Sequence, residues 1–115
     1  MKVPAPGNKY IIGWMTLREG AQAEFDSLVA PYAAACRAEP ECRFFEMLRK
    51  ADDPRAVLIC ECFESEAAHG VHVARPHAQA FLGQLPRLAL ACHFENVIAQ
   101  SVSPDAFDFS GAQAV

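Results

Sequence analysis

The sequence predicts an α+β fold of the ferredoxin-like type, with the element order β-α-β-β-α-β and helices on one face of an antiparallel sheet. Segments rich in β-forming residues and segments with helical spacing of apolar residues alternate in that order along the chain. Right-handed crossovers then place both helical segments on the same side of the sheet. With 115 residues, of which 52% are hydrophobic, the chain is long enough for one domain with a proper core.

The first two elements are a strand and a long helix. Residues 9–16, KYIIGWMT, are rich in β-formers and predict a strand that ends before the breaker Gly20. Residues 21–38 predict a helix because apolar residues recur at three- and four-residue steps, and Pro31 is expected to kink it. The buried stripe of this helix is predicted to comprise Phe25, Leu28, Val29, Tyr32, Ala33 and Cys36.

A hairpin and a helix in two pieces follow. Residues 42–49 and 56–63 are predicted strands, and the intervening KADDPR supplies the Asp and Pro residues of a turn. Ser65 is expected to cap a short helix that runs to about residue 72, and Pro76 suits the first turn of a second piece. The buried stripe of that second piece is predicted to be Phe81, Leu82, Leu85, Leu88 and Ala89.

A closing strand over residues 93–102 completes a domain that spans residues 9–102. Residues 1–8 form an N-terminal extension, and residues 103–115 form a C-terminal arm without periodicity. The arm carries two phenylalanines, so we expect it to dock against other protein surface: Phe107 and Phe109.

Apolar residues occupy both faces of the predicted strands. In the first strand Tyr10, Ile12 and Trp14 alternate with Ile11 and Met15, and the second strand of the hairpin repeats the pattern. A sheet with one solvated face shows polar residues at every second position instead. We therefore expect a second copy of the chain to cover the face away from the helices, which gives a homodimer with an apolar interface.

Composition excludes several classes of partner. The net charge is −4, and no basic run is present, which argues against a nucleic-acid backbone or an anionic membrane surface. No stretch approaches the roughly 20 apolar residues of a membrane span. The N-terminus lacks the apolar segment of a signal peptide, and the odd number of cysteines suits a reducing compartment, so we expect a cytoplasmic protein.

Motifs for cofactor chemistry are missing from the sequence. It contains no G-x-G-x-x-G, P-loop or G-x-S-x-G pattern, so hydride transfer, phosphoryl transfer and serine hydrolysis lack their machinery. A metal site is not predicted either, because His72 and His77 are not four residues apart and Pro76 breaks the helix between them. Cofactor-free chemistry remains.

Two histidines and a carboxylate are the candidate reactive groups. His72 lies near the end of one predicted helix and His77 in the first turn of the next, so the helix dipoles favour different protonation states in the two rings. Glu61 lies in an otherwise apolar strand, as either a structural hydrogen-bonding group or a proton acceptor with a raised pKa. Both rings can equally be ordinary hydrogen-bonding groups. Aromatic residues that would form an apolar slot or simply pack the core are Trp14, Phe44, Phe45 and Phe81.

Three segments together resemble the antibiotic biosynthesis monooxygenase domain family: EPECRFFEM (39–47), DDPRAVLICECFES (52–65) and HVARPHAQAF (72–81). Glu61 and Phe63 match the family's strand pattern, and the last segment matches its His-x3-Pro-His-x3-Phe pattern. Glu41 replaces a glycine usual in the family, and Ala78 replaces a common aromatic residue. The resemblance covers nearly all of residues 9–102.

The resemblance implies a dimeric α+β barrel and a cofactor-independent monooxygenase. Such an enzyme uses dioxygen to oxidise a phenolic, anthrone or quinol-type aromatic substrate, and the protein supplies a base, a dry pocket and orientation. His72, together with Glu61, is then the expected catalytic group, and the substrate-binding residues are expected to be Trp14, Phe45, His77 and Phe81. Alternatives are a non-catalytic small-ligand protein or a heme-binding barrel. An RNA-binding role is disfavoured by the negative charge and the lack of a basic aromatic strand.

Overall fold

Four strands and three helices form the part of the chain that the computed structural model describes, residues 5–111. The elements are β1 (Lys9–Leu17), α1 (Gln22–Arg37), β2 (Cys42–Lys50), β3 (Asp53–Phe63), α2 (Glu66–Ala74), α3 (Pro76–Leu88) and β4 (Ala89–Ile98). The strands make one antiparallel sheet in the order β2-β3-β1-β4. The predicted ferredoxin-like α+β class is therefore confirmed.

The local signals for the second helical segment act as predicted. The Ser65 hydroxyl accepts a hydrogen bond from the backbone N–H of Ala68 at 3.0 Å and so caps α2. Pro76 occupies the first turn of α3, where its missing N–H has no cost. Arg75 has extended backbone angles between the two helices, as expected of a residue that precedes proline.

The start of the last strand differs from the prediction. Ala89, expected on the buried stripe of the helix, is the first residue of β4 and pairs with Leu17 across a register shift in β1. The strand also ends at Ile98, earlier than residue 102. No loop separates α3 from β4. Ala89 begins the strand while its backbone N–H still donates a hydrogen bond to the carbonyl of Leu85 in the last helical turn. Leu82, also expected on the buried stripe, is 41% exposed.

The core lies between the helices and the inner face of the sheet. Alternation in β1 and β3 points Ile11, Met15, Val57 and Ile59 inward, where they are almost fully buried. From the helices, the core receives Phe25, Tyr32, Ala33, Cys36, Ala78, Phe81, Leu85 and Leu88.

The outer face of the sheet is apolar and is not covered by the helices. Trp14 is 47% and Leu48 is 55% exposed on this face, and the side chains of Tyr10, Ile12 and Leu58 alternate with the buried inner residues. The predicted apolar character of both sheet faces is thus confirmed for residues 5–111.

The C-terminal arm and the cysteines differ in how far they are buried. Phe107 and Phe109 stack on each other but are both largely exposed, so the arm does not dock against the described part of its own chain. Cys92 is exposed, whereas Cys36, Cys42 and Cys62 are buried. None of the helices in residues 5–111 is long and apolar enough to cross a membrane.

Candidate active site

A cavity of about 260 Å³ lies between the inner face of the sheet and the helices. Most of its wall is aliphatic or aromatic, and four polar side chains reach it: Glu61, His69, His72 and Asn96. Leu82 and Phe94 line the cavity while about two-fifths of each side chain is exposed, so the cavity meets solvent beside them. The apolar residues of the wall are Ile11, Met15, Tyr32, Phe45, Met47, Ile59, Val73, Phe81, Leu82, Leu85 and Phe94.

Glu61 and His72 face each other on this wall. Strand alternation in β3 points Glu61 inward together with Ile59, and His72 lies in the last turn of α2. The His72 Nε2 atom is 3.7 Å from Glu61 Oε1, and both side chains are buried. Phe63 supports the His72 ring, with ring centroids 4.6 Å apart. The two groups can therefore act on one molecule in the cavity.

Burial shifts the pKa of two groups in the cavity. Desolvation raises the pKa of the Glu61 carboxyl to about 7, and the negative charge of Glu39 adds to the shift while Lys9 opposes it. Desolvation lowers the pKa of His69 to about 4, and the positive charge of Lys9 lowers it further, as does the His72 ring when that ring is protonated. At neutral pH Glu61 is poised to take or give a proton, and His69 is uncharged.

Glu39 joins both candidate histidines from behind the cavity. It follows α1 in a short turn, and its side chain is only 2% exposed. One of its oxygens, Oε2, accepts hydrogen bonds from His72 Nδ1 and His77 Nε2, each at 2.8 Å. Its other oxygen, Oε1, is 2.8 Å from Arg75 Nε, which is ion-pair distance without hydrogen-bond alignment.

Arg75 also binds Glu41, the residue that replaces the family's usual glycine. The Arg75 guanidinium donates a hydrogen bond to Glu41 Oε1, and this contact holds the pKa of the Glu41 carboxyl below its usual value. The departure from the family pattern thus adds a carboxylate to the cluster, which we call the Glu39 cluster: Glu39, Glu41, His72, Arg75 and His77.

The sequence spacing of His72 and His77 does not reveal how the chain turns at Pro76. The break between α2 and α3 brings His72 and His77 to one carboxylate, and one ligand-type atom each of Cys36, Glu39, His72 and His77 lies within 4.8 Å of the others. However, both nitrogen–oxygen distances are those of hydrogen bonds, and burial raises the pKa of the Cys36 thiol to about 12. We retain the expectation that no metal binds here, and we interpret the contacts of Glu39 with His72 and His77 as a hydrogen-bonded network.

Four of the six predicted site residues line the cavity: Phe45, Glu61, His72 and Phe81. His77 instead contacts Glu39 and borders a separate groove beside Pro31 and Gln84. Trp14 lies on the outer face of the sheet, because Ile11 and Met15 take the inward positions of β1, so it does not line this cavity.

Sequence reasoning missed several residues of the site. Tyr32, predicted on the buried stripe of the first helix, also lines the cavity and stacks on Phe81 with ring centroids 4.0 Å apart. His69 lies three residues before His72 on α2, so helical spacing could have suggested it. Glu39 offered a weaker signal, as a carboxylate at the start of the segment EPECRFFEM that resembles the family.

Residues 10–84 match the model of the family described as antibiotic biosynthesis monooxygenase. No curated protein matches the sequence. Similar solved structures include a protein from Shewanella oneidensis, with 24% identity over 82% of this chain and 93% of that one and a TM-score of 0.74. A protein from Pseudomonas aeruginosa has 17% identity over 84% and 97% of the two chains, with a TM-score of 0.75.

A third similar structure is a mutant of SnoaB, described as a cofactor-independent oxygenase from Streptomyces nogalater. It has 21% identity over 86% of this chain and 99% of that one, with a TM-score of 0.74. At these identities the three structures support the fold.

Proposed function

Because the chain belongs to the antibiotic biosynthesis monooxygenase family, we propose that it is a cofactor-independent monooxygenase that oxidises a phenolic, anthrone or quinol-type aromatic substrate with dioxygen. The observation that carries the proposal is the Glu61–His72 pair on the wall of an otherwise apolar cavity. The description of SnoaB as a cofactor-independent oxygenase supports the same reaction class.

The first step is removal of a proton from the substrate. Since a carboxylate can only accept hydrogen bonds, His72 donates its Nδ1–H to Glu39, and the lone pair of neutral His72 is left on Nε2. This atom faces Glu61 and the cavity. The substrate C–H or O–H bond breaks, its proton moves to Nε2, and the electron pair stays on the aromatic ring system.

The anion then reacts with dioxygen. It transfers one electron to dioxygen, and the resulting radical pair combines to form a C–O bond. The imidazolium of His72 returns its proton to the peroxide. Loss of a second proton from the same carbon to His72 or Glu61 breaks the O–O bond and leaves a carbonyl. The departing hydroxide takes up that proton, so a CH₂ group and one dioxygen yield one carbonyl and one water. For a phenol the first proton comes from the hydroxyl and the second from the oxygenated ring carbon, so the phenol and one dioxygen yield a quinone and one water.

The cavity favours substrates with a small aromatic system. Its volume of about 260 Å³ is near the lower limit of the roughly 300–1,000 Å³ usual for ligand sites. Aromatic walls at Phe45 and Phe81 provide flat apolar contacts, and Asn96 supplies an amide for a hydroxyl or carbonyl of the substrate. One- and two-ring quinols therefore belong at the head of a substrate panel, followed by anthrones.

Oxygen consumption with a panel of quinols, phenols and anthrones tests the proposal. We expect stoichiometric dioxygen uptake, label from isotopically enriched dioxygen in the product, and a decrease in kcat of about 10²–10⁴-fold in His72→Ala. Glu24→Ala is the control, because this side chain is half-exposed on α1, away from both the cavity and the outer face of the sheet. Uptake no faster than in buffer for every compound, or unchanged turnover in folded His72→Ala, would overturn the proposal in favour of a non-catalytic ligand-binding protein.

The second part of the proposal concerns assembly. We propose that two copies pair through the outer faces of their sheets, because that face exposes Trp14 and Leu48 in the single chain. Sedimentation at micromolar concentration is expected to show a dimer, and Leu48→Glu is expected to dissociate it. Val71→Glu is the control, since Val71 is equally exposed but lies on α2. A wild-type monomer under these conditions would contradict the pairing.

A further inference from the structure

Glu39 is the most buried carboxylate of the cluster and does not line the cavity, so substrate contact does not explain it. Removing a carboxylate from water is costly unless hydrogen bonds and an opposite charge compensate for it. Here the two histidine N–H groups and the Arg75 guanidinium supply that compensation. Burying the Glu39 carboxylate costs more free energy than a structural contact alone would warrant. The carboxylate contacts His72 directly, which points to a role in the function of that ring.

We propose that Glu39 is the positioning residue of the reaction, which fixes His72 in the tautomer with a free Nε2 lone pair and holds the imidazolium formed when His72 takes the substrate proton. The inference rests on the proposed function and assigns a role to a residue that the substrate does not touch. It deepens the role of His72 without adding a new reaction.

The tautomer follows from the acceptor. A neutral imidazole carries one hydrogen, and a carboxylate oxygen at 2.8 Å from Nδ1 requires that hydrogen to be on Nδ1. Because His77 donates to the same oxygen, Oε2 has a donor for each of its lone pairs. The carboxylate is therefore held from two sides, and rotation of the His72 ring would break a buried hydrogen bond.

The cluster places negative charge beside the ring that takes the substrate proton. Two carboxylates, Glu39 and Glu41, surround the single guanidinium of Arg75, which leaves one net negative charge beside neutral His72. Proton uptake by His72 makes the cluster neutral. The buried cluster therefore loses its net charge at the moment when the substrate anion forms. This change stabilises the ion pair between the imidazolium and the anion.

The comparison with known catalytic triads gives the expected size of the effect. Replacing the carboxylate behind the histidine of a Ser-His-Asp triad with an amide lowers kcat by about 10⁴-fold, because the imidazole takes the wrong tautomer. Glu39→Gln keeps the shape but removes the charge, and its amide group can donate toward the ring. We expect a decrease in kcat of about 10²–10⁴-fold with little change in KM, since Glu39 does not line the cavity.

Two measurements separate positioning from a merely structural role. Nitrogen NMR of isotope-labelled histidine in the ligand-free protein is expected to show His72 protonated on Nδ1 in the wild type and a gain of the Nε2–H tautomer in Glu39→Gln. In a double-mutant cycle, Glu39→Gln is expected to have no further effect on kcat in a His72→Ala background, because Glu39 acts through His72. Glu46→Gln is the control, as this carboxylate lies half-exposed on β2 and pairs with Arg37.

Defined results would overturn the inference. One is an Nε2–H tautomer of His72 in the wild type, and another is a folded Glu39→Gln variant with wild-type kcat. If Glu39→Gln does not fold, two other measurements provide the test. The wild type must carry its His72 hydrogen on Nδ1. Glu39→Asp, which keeps the charge but shortens the side chain, must have a reduced kcat. The NMR measurement needs no substrate, so absence of turnover with the panel would refute the proposed function while the tautomer still decides the role of Glu39.

Discussion

Replacing Glu61 with glutamine is expected to stabilise the protein at alkaline pH. The carboxyl is buried, and its pKa rises from 4.5 to about 7 in the folded state. Each pKa unit corresponds to about 1.4 kcal/mol, so ionisation of Glu61 costs the folded state on the order of 3 kcal/mol. The folded chain keeps this proton up to about pH 7, whereas the unfolded chain releases it near 4.5. Stability is therefore fully retained below the lower value and is lost as pH rises through this window.

Urea denaturation at about pH 5 and about pH 8 measures the effect. Glu61→Gln has no charge to bury, so we expect it to be more stable than the wild type by about 3 kcal/mol at the higher pH and by about 1 kcal/mol or less at the lower. Glu19→Gln makes the same chemical change at an exposed turn position and is expected to alter neither value. A Glu61→Gln gain that is equal at both pH values, or larger at the acidic one, would refute the assignment of a destabilising buried carboxylate.

Three further predictions concern packing and metal binding. Gly13→Ala places a Cβ 2.7 Å from Phe94 Cε1, so we expect the free energy of unfolding to fall by about 1–3 kcal/mol in thermal or urea denaturation. In a Phe94→Ala background the same substitution is expected to cost much less, because the clashing ring is gone. Phe81→Ala removes the ring stacked on Tyr32 and is expected to cost about 3–5 kcal/mol, while Phe107→Ala in the exposed arm changes stability by less than about 0.5 kcal/mol. Titration with Co²⁺ is expected to give no thiolate charge-transfer band, and a band lost in Cys36→Ser would contradict the hydrogen-bonded assignment.

Local signals in the sequence were sufficient to predict most of the fold. Ser65 and Pro76 each satisfy a helix end through their own chemistry, so their roles follow from their immediate neighbours. The start of β4 was missed because Leu90, Ala91 and Cys92 continue an apolar run without a breaker after α3. A short apolar run does not by itself distinguish helix from strand, and pairing with β1 decides the matter at Ala89.

The candidate site was only partly predictable because its contacts are long-range. Glu39 is separated from His72 by 33 positions and from His77 by 38, so no local pattern shows that their side chains meet. Trp14 is a different case. Its position follows from the two-residue period of β1, which places Tyr10, Ile12 and Trp14 on one face and Ile11 and Met15 on the other. Applying that period would have assigned Trp14 to the outer face.

The direct junction of α3 with β4 limits how molecules reach the cavity. Leu88 accepts a hydrogen bond from the backbone of Arg18 at 2.8 Å while the next residue, Ala89, pairs with β1, so the helix cannot swing outward as a hinged lid without disrupting the sheet. Leu82 and Phe94 border the entrance of the cavity instead. Rotation of such exposed side chains takes picoseconds to nanoseconds, so it does not slow the passage of a ligand. We therefore expect flat molecules to enter and leave the cavity rapidly, whereas the narrow entrance excludes bulky molecules by their size.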